Sequence, residues 1–361
     1  MALPAVTAEV AELLKSTPGG TVEIRGAGTK RDWGGALDKA DLILATGALT
    51  GVVEHAAGDL IVVVRAGTPM AQLQEQLAAR GQQLALDQPY PGASVGGTVA
   101  ANVSGPRRML YGTARDLVIG TTVVLADGTV AHSGGKVVKN VAGYDLGKLF
   151  TGSYGTLGLI TELAFRLHPL APASAYVTAR PRDIGAALAA VRQAQVVPSA
   201  VEVDWPAGEL AVLVEGTAKG VAARAGTLAK LLGGQESERP AWWGVYPWEP
   251  GGTGLKLTAA LSRVPALLTG PLRVRGSAGT GVLYAALPPG TGPDEAGRIV
   301  GELRETARDA GGHAVVLTAP SEVRDRIDLW GPVDGLALMW RVKQQFDPDG
   351  VFAAGRFVGG I

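Results

Sequence analysis

Cysteine is absent from the 361-residue chain. Its absence excludes disulfides, thiolate zinc sites, cysteine-ligated iron–sulfur clusters, a cysteine nucleophile and a cofactor attached through cysteine. Histidine is scarce as well: the four are His55, His132, His168 and His313, and no two have the spacing of a local metal motif. We therefore predict no metal site, and the sequence alone identifies no catalytic residue.

The chain also lacks an excess of charge and a long apolar run. Lysine plus arginine balance aspartate plus glutamate at 33 each, whereas a nucleic-acid-binding domain normally has a basic excess. The longest apolar runs, such as residues 60–64, fall far short of the roughly 18 residues that a membrane span needs. The N-terminal segment carries Glu9 and Glu12 and no basic leader. We expect a soluble cytoplasmic protein that neither binds nucleic acid nor inserts directly into a membrane. Any contact with the inner membrane would be made through its partners.

Glycine, in contrast, is abundant, with 52 residues where a usual share of roughly 7% would give about half as many. It concentrates in three loops, at residues 26–30, 92–102 and 152–162. The first loop is not a G-x-G-x-x-G phosphate motif, because Arg31 stands where the third glycine would be. Two interpretations stay open for it: a plain turn, or a nest whose backbone N–H groups bind an anion.

Apolar periodicity predicts strands and helices in alternation. Strands are expected over 21–25, 60–65, 117–125 and 157–167, and an amphipathic helix near the N-terminus. A helix should follow the second strand, with Thr68 as its N-cap and Pro69 at its first position. After a proline-containing segment at 170–174, the pattern predicts helices on one face of a mostly antiparallel sheet.

Three of the seven tryptophans, Trp242, Trp243 and Trp248, lie close together in the second half. Clustered aromatic residues are typical of binding surfaces, so this segment is a candidate contact with a partner protein. The alternative is a loop that covers the core of the second half.

Five motifs in order support a resemblance to a known family. They are RGAGTK, PGASVGGTVAANVSG, YGTARD, GGKVVKNVAGYDLGKLFTGSYGTLGLITE and the terminal FDPDGVFAAGR. Their order and spacing resemble the flavin-binding domain of the vanillyl-alcohol oxidase / p-cresol methylhydroxylase (PCMH-type) superfamily, and within it the small flavin subunits of bacterial glycolate oxidases. The match is strong over residues 20–170 and weak over the last twenty or so.

This resemblance implies an α+β chain with a PCMH-type FAD-binding domain of two α/β subdomains at residues 1–171. A smaller α+β cap domain with a mostly antiparallel sheet would follow at 172–325, and a C-terminal helix and tail at 326–361 would return toward the flavin domain. The residues to which the resemblance assigns cofactor contact are Gly26, Ala27, Gly28, Thr29 and Lys30 in a pyrophosphate loop, Ser94, Gly96, Gly97, Thr98 and Asn102 in a flavin-proximal loop, Gly158, Leu159 and Ile160 at the adenine edge, and Arg356 in the tail.

The chain departs from the family pattern in three places. Neither a histidine after the first loop nor any cysteine is available for covalent attachment, so the resemblance implies non-covalent FAD. His313 lacks the second histidine and acidic residue of the related catalytic subunits, so a strand-edge or core position is favoured over a catalytic base. The tail reads Ala-Ala-Gly-Arg instead of Asn-Pro-Gly-Arg, which leaves Arg356 either near the flavin or solvated.

A group of basic residues also has two interpretations. It could stabilise a reduced flavin or bind a substrate carboxylate, or it could be a solvated cluster that faces a partner. Its members are Arg107, Arg108, Arg115, Lys136 and Lys139.

The resemblance implies an FAD-binding subunit of a complex that oxidises glycolate to glyoxylate. A larger homologous flavin subunit would oxidise the substrate, and an iron–sulfur subunit would accept the electrons, since this chain has no cysteine. Two alternatives stay open: a self-sufficient FAD-linked dehydrogenase of a 2-hydroxy acid such as glycolate or D-lactate, and a degenerate flavin domain that serves only as a scaffold.

Overall fold

The computed structural model describes residues 1–17, 19–37, 39–135 and 145–361. Most of the motif GGKVVKNVAGYD, with Lys136 and Lys139, lies outside the described residues. The first half contains two small sheets and one larger sheet. Its strands are β1 (Val22–Arg25), β2 (Leu42–Ala45), β3 (Val52–Ala56), β4 (Ile61–Arg65), β5 (Gln82–Gln83), β6 (Val118–Val124), β7 (Val130–Gly134), β8 (Leu159–Arg166) and β9 (His168–Pro169). Its helices are α1 (Thr7–Lys15), α2 (Met70–Ala78), α3 (Val95–Ala100), α4 (Arg108–Tyr111), α5 (Ala114–Leu117) and α6 (Leu146–Phe150).

The first small unit is built on the parallel pair of β1 and β2, in which Val22 is opposite Leu42. The apolar stripe predicted for the N-terminal helix is present, because Val10 and Leu14 of α1 are buried in one cluster with Val22. The second small sheet pairs β5 with β9.

The larger sheet of the first half has the strand order β3-β4-β8-β6-β7, and all its pairs are antiparallel. The β-branched run of β4 is buried in its centre, where Val62 and Val64 pack with Leu73 of α2 and Phe165 of β8. The three long strands expected from the sequence are therefore confirmed as β4, β6 and β8. The helix after β4 begins at Met70 and not at Pro69, which precedes it in an extended conformation.

The second half is an eight-stranded antiparallel sheet with helices on one face. Its strands are β10 (Ala173–Ala179), β11 (Ala200–Trp205), β12 (Glu209–Gly216), β13 (Gln235–Ser237), β14 (Gly254–Thr258), β15 (Arg273–Ser277), β16 (Val282–Ala286) and β17 (Ala314–Thr318), in the order β13-β10-β12-β11-β15-β16-β14-β17. Its helices are α7 (Ile184–Gln193), α8 (Ala218–Leu232), α9 (Pro293–Asp309) and α10 (Ser321–Arg324).

Successive residues of β11 show how the two faces of this sheet differ. Val201 and Val203 enter the core with Leu228 of α8, whereas Ala200 and Glu202 lie on the opposite face, as expected for the alternation of side chains along a strand. The opposite face is covered by the segment that follows β13 and by the first half of the chain. The α+β class, with a mostly antiparallel second sheet, is thus confirmed.

The C-terminal helix α11 (Leu336–Phe346) and the tail pack against the first half. Lys343 is buried and donates hydrogen bonds to Asp347, to the carbonyl of Thr156 (2.7 Å) and to the carbonyl of Phe352 (3.0 Å). Phe352 forms a bridge to Val22 of β1. Since breaking a buried ion pair typically costs about 3–5 kcal/mol, this pair fixes the tail beside the first glycine loop.

Candidate functional site

A groove runs along the first glycine loop, immediately after β1. It has an empty volume of about 560 Å³ and is lined by all five residues of the predicted pyrophosphate loop, Gly26 to Lys30. Gly28 has φ +74°, and a Cβ built on it would meet no protein atom within 4 Å. The loop therefore presents backbone toward open space, where a glycine permits a ligand to approach closely.

The second glycine loop forms the opposite wall of this groove. Ser94 caps α3 by accepting a hydrogen bond from the N–H of Gly97 (3.3 Å), and both residues line the groove. A Cβ on Gly26 would come within 2.7 Å of the Ser94 hydroxyl oxygen. The two predicted loops can lie this close together only because Gly26 has no side chain.

A second groove, with an empty volume of about 460 Å³, adjoins the first and contains Gly96, Gly158 and Ile160. Gly26, Gly97 and Tyr154 line both grooves, so the two are continuous. Residues predicted for the three regions of a dinucleotide site are therefore brought to one surface, although they are up to 134 positions apart in the chain, between Gly26 and Ile160.

Three of the predicted residues do not line either groove. The side chain of Leu159 is buried on the other side of β8 with Val22, so only its backbone is available. Thr98 is fully buried; its hydroxyl donates to the carbonyl of Ser94 (2.8 Å) and accepts from Gln88 (2.7 Å), which makes it a support of the loop. Asn102 has φ +49°, and its buried Oδ1 has no hydrogen-bond partner among the described residues.

Two buried cations contribute positive charge to the first groove. Lys30 is buried and donates to the hydroxyl of Thr29 (3.1 Å), with its ammonium 5.4 Å from the ring centre of Tyr90. Burial lowers the pKa of Lys30 to about 8. Arg356 is also buried and donates to the carbonyls of Lys30 (2.7 Å) and Arg31 (2.9 Å). Neither cation pairs with a carboxylate in the part of the chain that the structure describes.

Arg356 therefore occupies the groove and is not a solvated tail residue. A Cβ on Gly35 would lie 2.0 Å from the carbonyl oxygen of Gly355, so glycine is needed for the tail to approach this closely. The N–H of Gly35 donates to the carbonyl of Arg356 (2.9 Å) and fixes the position of the tail. Burial lowers the pKa of the Arg356 guanidinium.

Sequence reasoning missed several residues at this site. Glu23 is buried between Arg25 (2.9 Å) and Arg31 (3.0 Å), and all three line the groove. The hydrogen bonds from these arginines outweigh burial and lower the pKa of Glu23. Tyr154 is the other omission. It stands between Ser153 and Gly155 within the third glycine loop, a position that the loop motif could have marked.

These residues fit the pyrophosphate of a dinucleotide such as FAD. Backbone N–H groups without obstructing side chains and two cations without carboxylate partners are the donors that a doubly charged phosphate group requires. None of the histidines of the chain lines either groove. His313 lies immediately before β17. Its backbone N–H donates to the hydroxyl of Thr258 (2.9 Å), which supports the strand-edge interpretation.

The structure favours the second interpretation of the tryptophan segment, in which it covers the core of the second half. Trp243 is buried against Tyr176 and Leu213 on the face of the sheet opposite the helices. Trp248 stacks on Tyr246, with ring centres 4.4 Å apart. The segment covers the core of the second half, because these indoles gain more from burial there than from exposure to water.

The basic residues after the second loop have separate surroundings. Arg107 forms an ion pair with Asp87 (2.7 Å) and lies 3.6 Å from Glu215 of β12, so it joins the two halves. Arg115 is exposed. Arg108 lies between the halves and donates to the hydroxyl of Tyr284 (3.2 Å).

Comparisons with known proteins agree with this geometry. A family model for an FAD-binding domain matches residues 1–134. Glycolate oxidase subunit GlcE of Escherichia coli (strain K12) is 30% identical over 313 residues, which cover 85% of this chain and 84% of that protein. Glycolate oxidase subunit GlcD of Bacillus subtilis (strain 168) is 34% identical over 182 residues, or 49% of this chain and 39% of that protein.

The fold is similar to that of a solved structure of alkyldihydroxyacetonephosphate synthase, with a TM-score of 0.67 and 16% sequence identity. The superposition covers 97% of this chain and 76% of the synthase chain. Within the described ranges, no helix combines the length and apolar character needed to cross a membrane.

Proposed function

Since this chain belongs to the family of FAD-linked oxidoreductases that includes the glycolate oxidase subunit GlcE, we propose that it is the FAD-binding subunit of a complex that oxidises glycolate to glyoxylate. FAD bound to this chain would supply a carrier for electrons that the complex takes from glycolate. The observation that carries the proposal is the groove in which two glycine loops meet beside Lys30 and Arg356.

We propose the following roles for the residues of this groove. The N–H groups of Gly26 to Thr29 donate to the pyrophosphate, and Lys30 and Arg356 neutralise its charge. Ser94, Gly96 and Gly97 form the wall against which the rest of the dinucleotide lies, and Gly158 and Ile160 line the adjoining groove. Thr98 holds the turn at Ser94 in place through its hydrogen bond, and Leu159 contributes only its backbone groups to the site.

The division of the chain into three parts is also a proposal: a flavin domain at 1–171, a cap at 172–325, and a returning C-terminal segment at 326–361. The sheets support it, because β8 ends at Arg166 and the eight-stranded sheet runs from Ala173 to Thr318. The return of the tail is supported by the contact of Arg356 with Lys30.

We further propose that the partners are a larger homologous flavin subunit, in which glycolate is oxidised, and an iron–sulfur subunit that accepts the electrons. The complex would lie in the cytoplasm, with any membrane contact made by its partners. The similarity to GlcD supports the idea that two homologous chains share one complex. The absence of cysteine means that an iron–sulfur cluster ligated by cysteine has to be held by another chain.

Purification of this chain alone tests the proposal. We expect about one non-covalent flavin per chain, seen by its visible absorbance, and no bleaching when glycolate is added without oxygen. Bleaching by glycolate or D-lactate would instead support the self-sufficient dehydrogenase. A chain that binds no flavin, even after incubation with excess FAD, would support the scaffold.

A further inference from the structure

The ammonium group of Lys30 differs from that of Lys343, the other buried lysine in the described ranges. The three N–H groups of Lys343 donate to Asp347 and to two backbone carbonyls, so each has an acceptor. The ammonium of Lys30 has one hydrogen-bond acceptor among the described residues, the hydroxyl of Thr29 (3.1 Å), and both residues line the first groove. Lys30 therefore combines burial with unused N–H groups and access to open space.

Burial also changes the chemistry of this side chain. It lowers the pKa of Lys30 to about 8, and no carboxylate in the described part of the chain lies close enough to reverse the effect by ion pairing. Near neutral pH a fraction of the side chain is therefore an unprotonated amine. An amine in this form has a lone pair and attacks carbonyl carbons, which an ammonium cannot do.

Donors for an anionic group lie in the same groove. The hydroxyl of Thr29 accepts from Lys30, and its own proton has no acceptor among the described residues. Arg356 uses only Nη2 for its bonds to the carbonyls of Lys30 and Arg31, so Nε and Nη1 can still donate. A carboxylate that enters the groove thus meets a hydroxyl and a guanidinium as well as the amine.

We propose that Lys30 of the FAD-free chain forms a reversible imine with a small aldehyde that carries a carboxylate. The amine nitrogen attacks the aldehyde carbon, and the carbinolamine that results loses water. The aldehyde oxygen leaves with the two hydrogens of the amine, a C=N bond replaces the C=O bond, and no electrons are transferred. The carboxylate is argued from Thr29 and Arg356, whereas the choice of glyoxylate rests on the proposed function, whose product it is.

This modification and FAD exclude each other. The imine removes the ammonium charge of Lys30 that would face the pyrophosphate, and the added carboxylate occupies donors that the pyrophosphate needs. Bound FAD in turn covers the amine, so only the empty chain reacts. An excess of the product aldehyde therefore slows the loading of cofactor into new chains.

Reductive trapping tests the proposal. The full-length chain, freed of FAD, is incubated at pH 7 with glyoxylate and cyanoborohydride, which converts an imine into a stable carboxymethyl group, and peptide mass spectrometry locates the label. We expect labelling of Lys30 at least about tenfold faster than that of the exposed Lys219 and Lys230, because a pKa of about 8 leaves more unprotonated amine than one of 10.5. Lys343 should be labelled most slowly, since its N–H groups are all hydrogen-bonded.

Three controls separate the effect of the groove from ordinary lysine chemistry. In guanidinium, where the chain is unfolded, the preference for Lys30 should disappear. Glycolaldehyde lacks the carboxylate and should show a smaller preference for Lys30 than glyoxylate does. Saturating FAD added before glyoxylate should protect Lys30 and leave the labelling of Lys219 unchanged.

FAD binding by the trapped chain gives a second measurement. It should be at least about tenfold weaker than that of a sample treated with cyanoborohydride alone, as followed by flavin fluorescence. Lys30→Arg keeps a positive charge but cannot form an imine. The FAD binding of this variant should therefore be the same with and without glyoxylate treatment.

Labelling of Lys30 no faster than that of Lys219 would overturn the inference. Normal FAD binding by the trapped chain, or an equal preference with glycolaldehyde, would also overturn it. FAD binding by the untreated chain is measured in the same series. A chain that binds FAD but is not labelled at Lys30 refutes the inference alone, whereas a chain that binds no FAD refutes the proposed function. The labelling experiment uses the natural chain, so it decides even if Lys30→Arg does not fold.

Discussion

Gly28 combines a left-handed backbone conformation with open space beside it. We predict that Gly28→Val abolishes FAD retention while the chain stays folded, because a branched side chain would occupy the space that the pyrophosphate needs. The measurement is the ratio of flavin to protein absorbance, with far-ultraviolet circular dichroism to check folding.

Gly81→Val is a suitable control for this variant. Gly81 has φ +68° and an equally open Cβ position, but it lies after α2 and lines neither groove. Both variants should lose about 1–2 kcal/mol of folding stability to backbone strain. Only Gly28→Val should lose the flavin; normal flavin content in this variant would disprove the assignment of the loop.

We predict that Lys30 makes FAD binding dependent on pH. Burial lowers its pKa from 10.5 to about 8, so the ammonium is charged at pH 7 and increasingly neutral at pH 9. We predict that FAD affinity falls as the pH rises from 7 to 9. Lys30→Met should weaken binding roughly tenfold at pH 7 and remove most of this pH dependence. Titration of the apoprotein with FAD, followed by flavin fluorescence, measures both.

The lowered pKa of Lys30 has the opposite effect on the stability of the apoprotein, which it makes rise with pH. Between pH 8 and pH 10.5 the folded chain binds fewer protons at Lys30 than the unfolded chain does, so this residue makes stability rise with pH in that interval. If FAD affinity and apoprotein stability changed in the same direction as the pH rises, this account of Lys30 would be contradicted.

At the scale of elements, the segment between β13 and β14 is held by Trp243. We predict that Trp243→Ala lowers the free energy of unfolding by about 3–5 kcal/mol, since a fully buried indole is replaced by a cavity. Chemical denaturation measures the loss. Trp340→Ala serves as the control, because that side chain is 39% exposed on α11 and should cost about 1 kcal/mol or less. Equal effects of the two substitutions would argue against a core position for Trp243.

This segment also shows where prediction from sequence fails for an element. Strands β4, β6 and β8 could be predicted, because a buried strand depends on a local run of β-branched and apolar residues. The burial of Trp243 depends on Tyr176 and Leu213, which lie far away in the chain and provide no local signal. The start of α2 is a smaller case: the N-cap residue is Pro69 and not Thr68, and the hydroxyl of Thr68 accepts from the N–H of Gly51 (2.9 Å).

At the scale of the whole molecule, the flavin should be held only by non-covalent contacts. We predict that acid or guanidinium releases all of it into the supernatant, because the chain has no cysteine and no histidine lines either groove. Absorbance of the pellet and the supernatant measures the release, with a covalent flavoprotein treated in parallel as the control. Yellow colour that stays with the precipitated chain would refute the prediction.

The candidate site as a whole could be predicted from sequence only in part. Motif order was sufficient to select Gly26 to Lys30 and Ser94 to Gly97. A loop whose backbone must approach a ligand closely requires glycine at particular positions, and these are visible in the sequence. Motif order could not show that Leu159 faces away or that Glu23 is paired within the groove, since side-chain direction depends on the packing of β1 and β8.

The contact between Arg356 and Lys30 has a consequence for the order of events during synthesis. These residues are 326 positions apart, so the groove is incomplete until Arg356 has been translated. At about 5–20 residues per second, the first glycine loop waits roughly 15 to 65 s for the tail. We therefore expect cofactor loading to be post-translational. Newly made chains would then accumulate as apoprotein whenever the cellular supply of FAD is short.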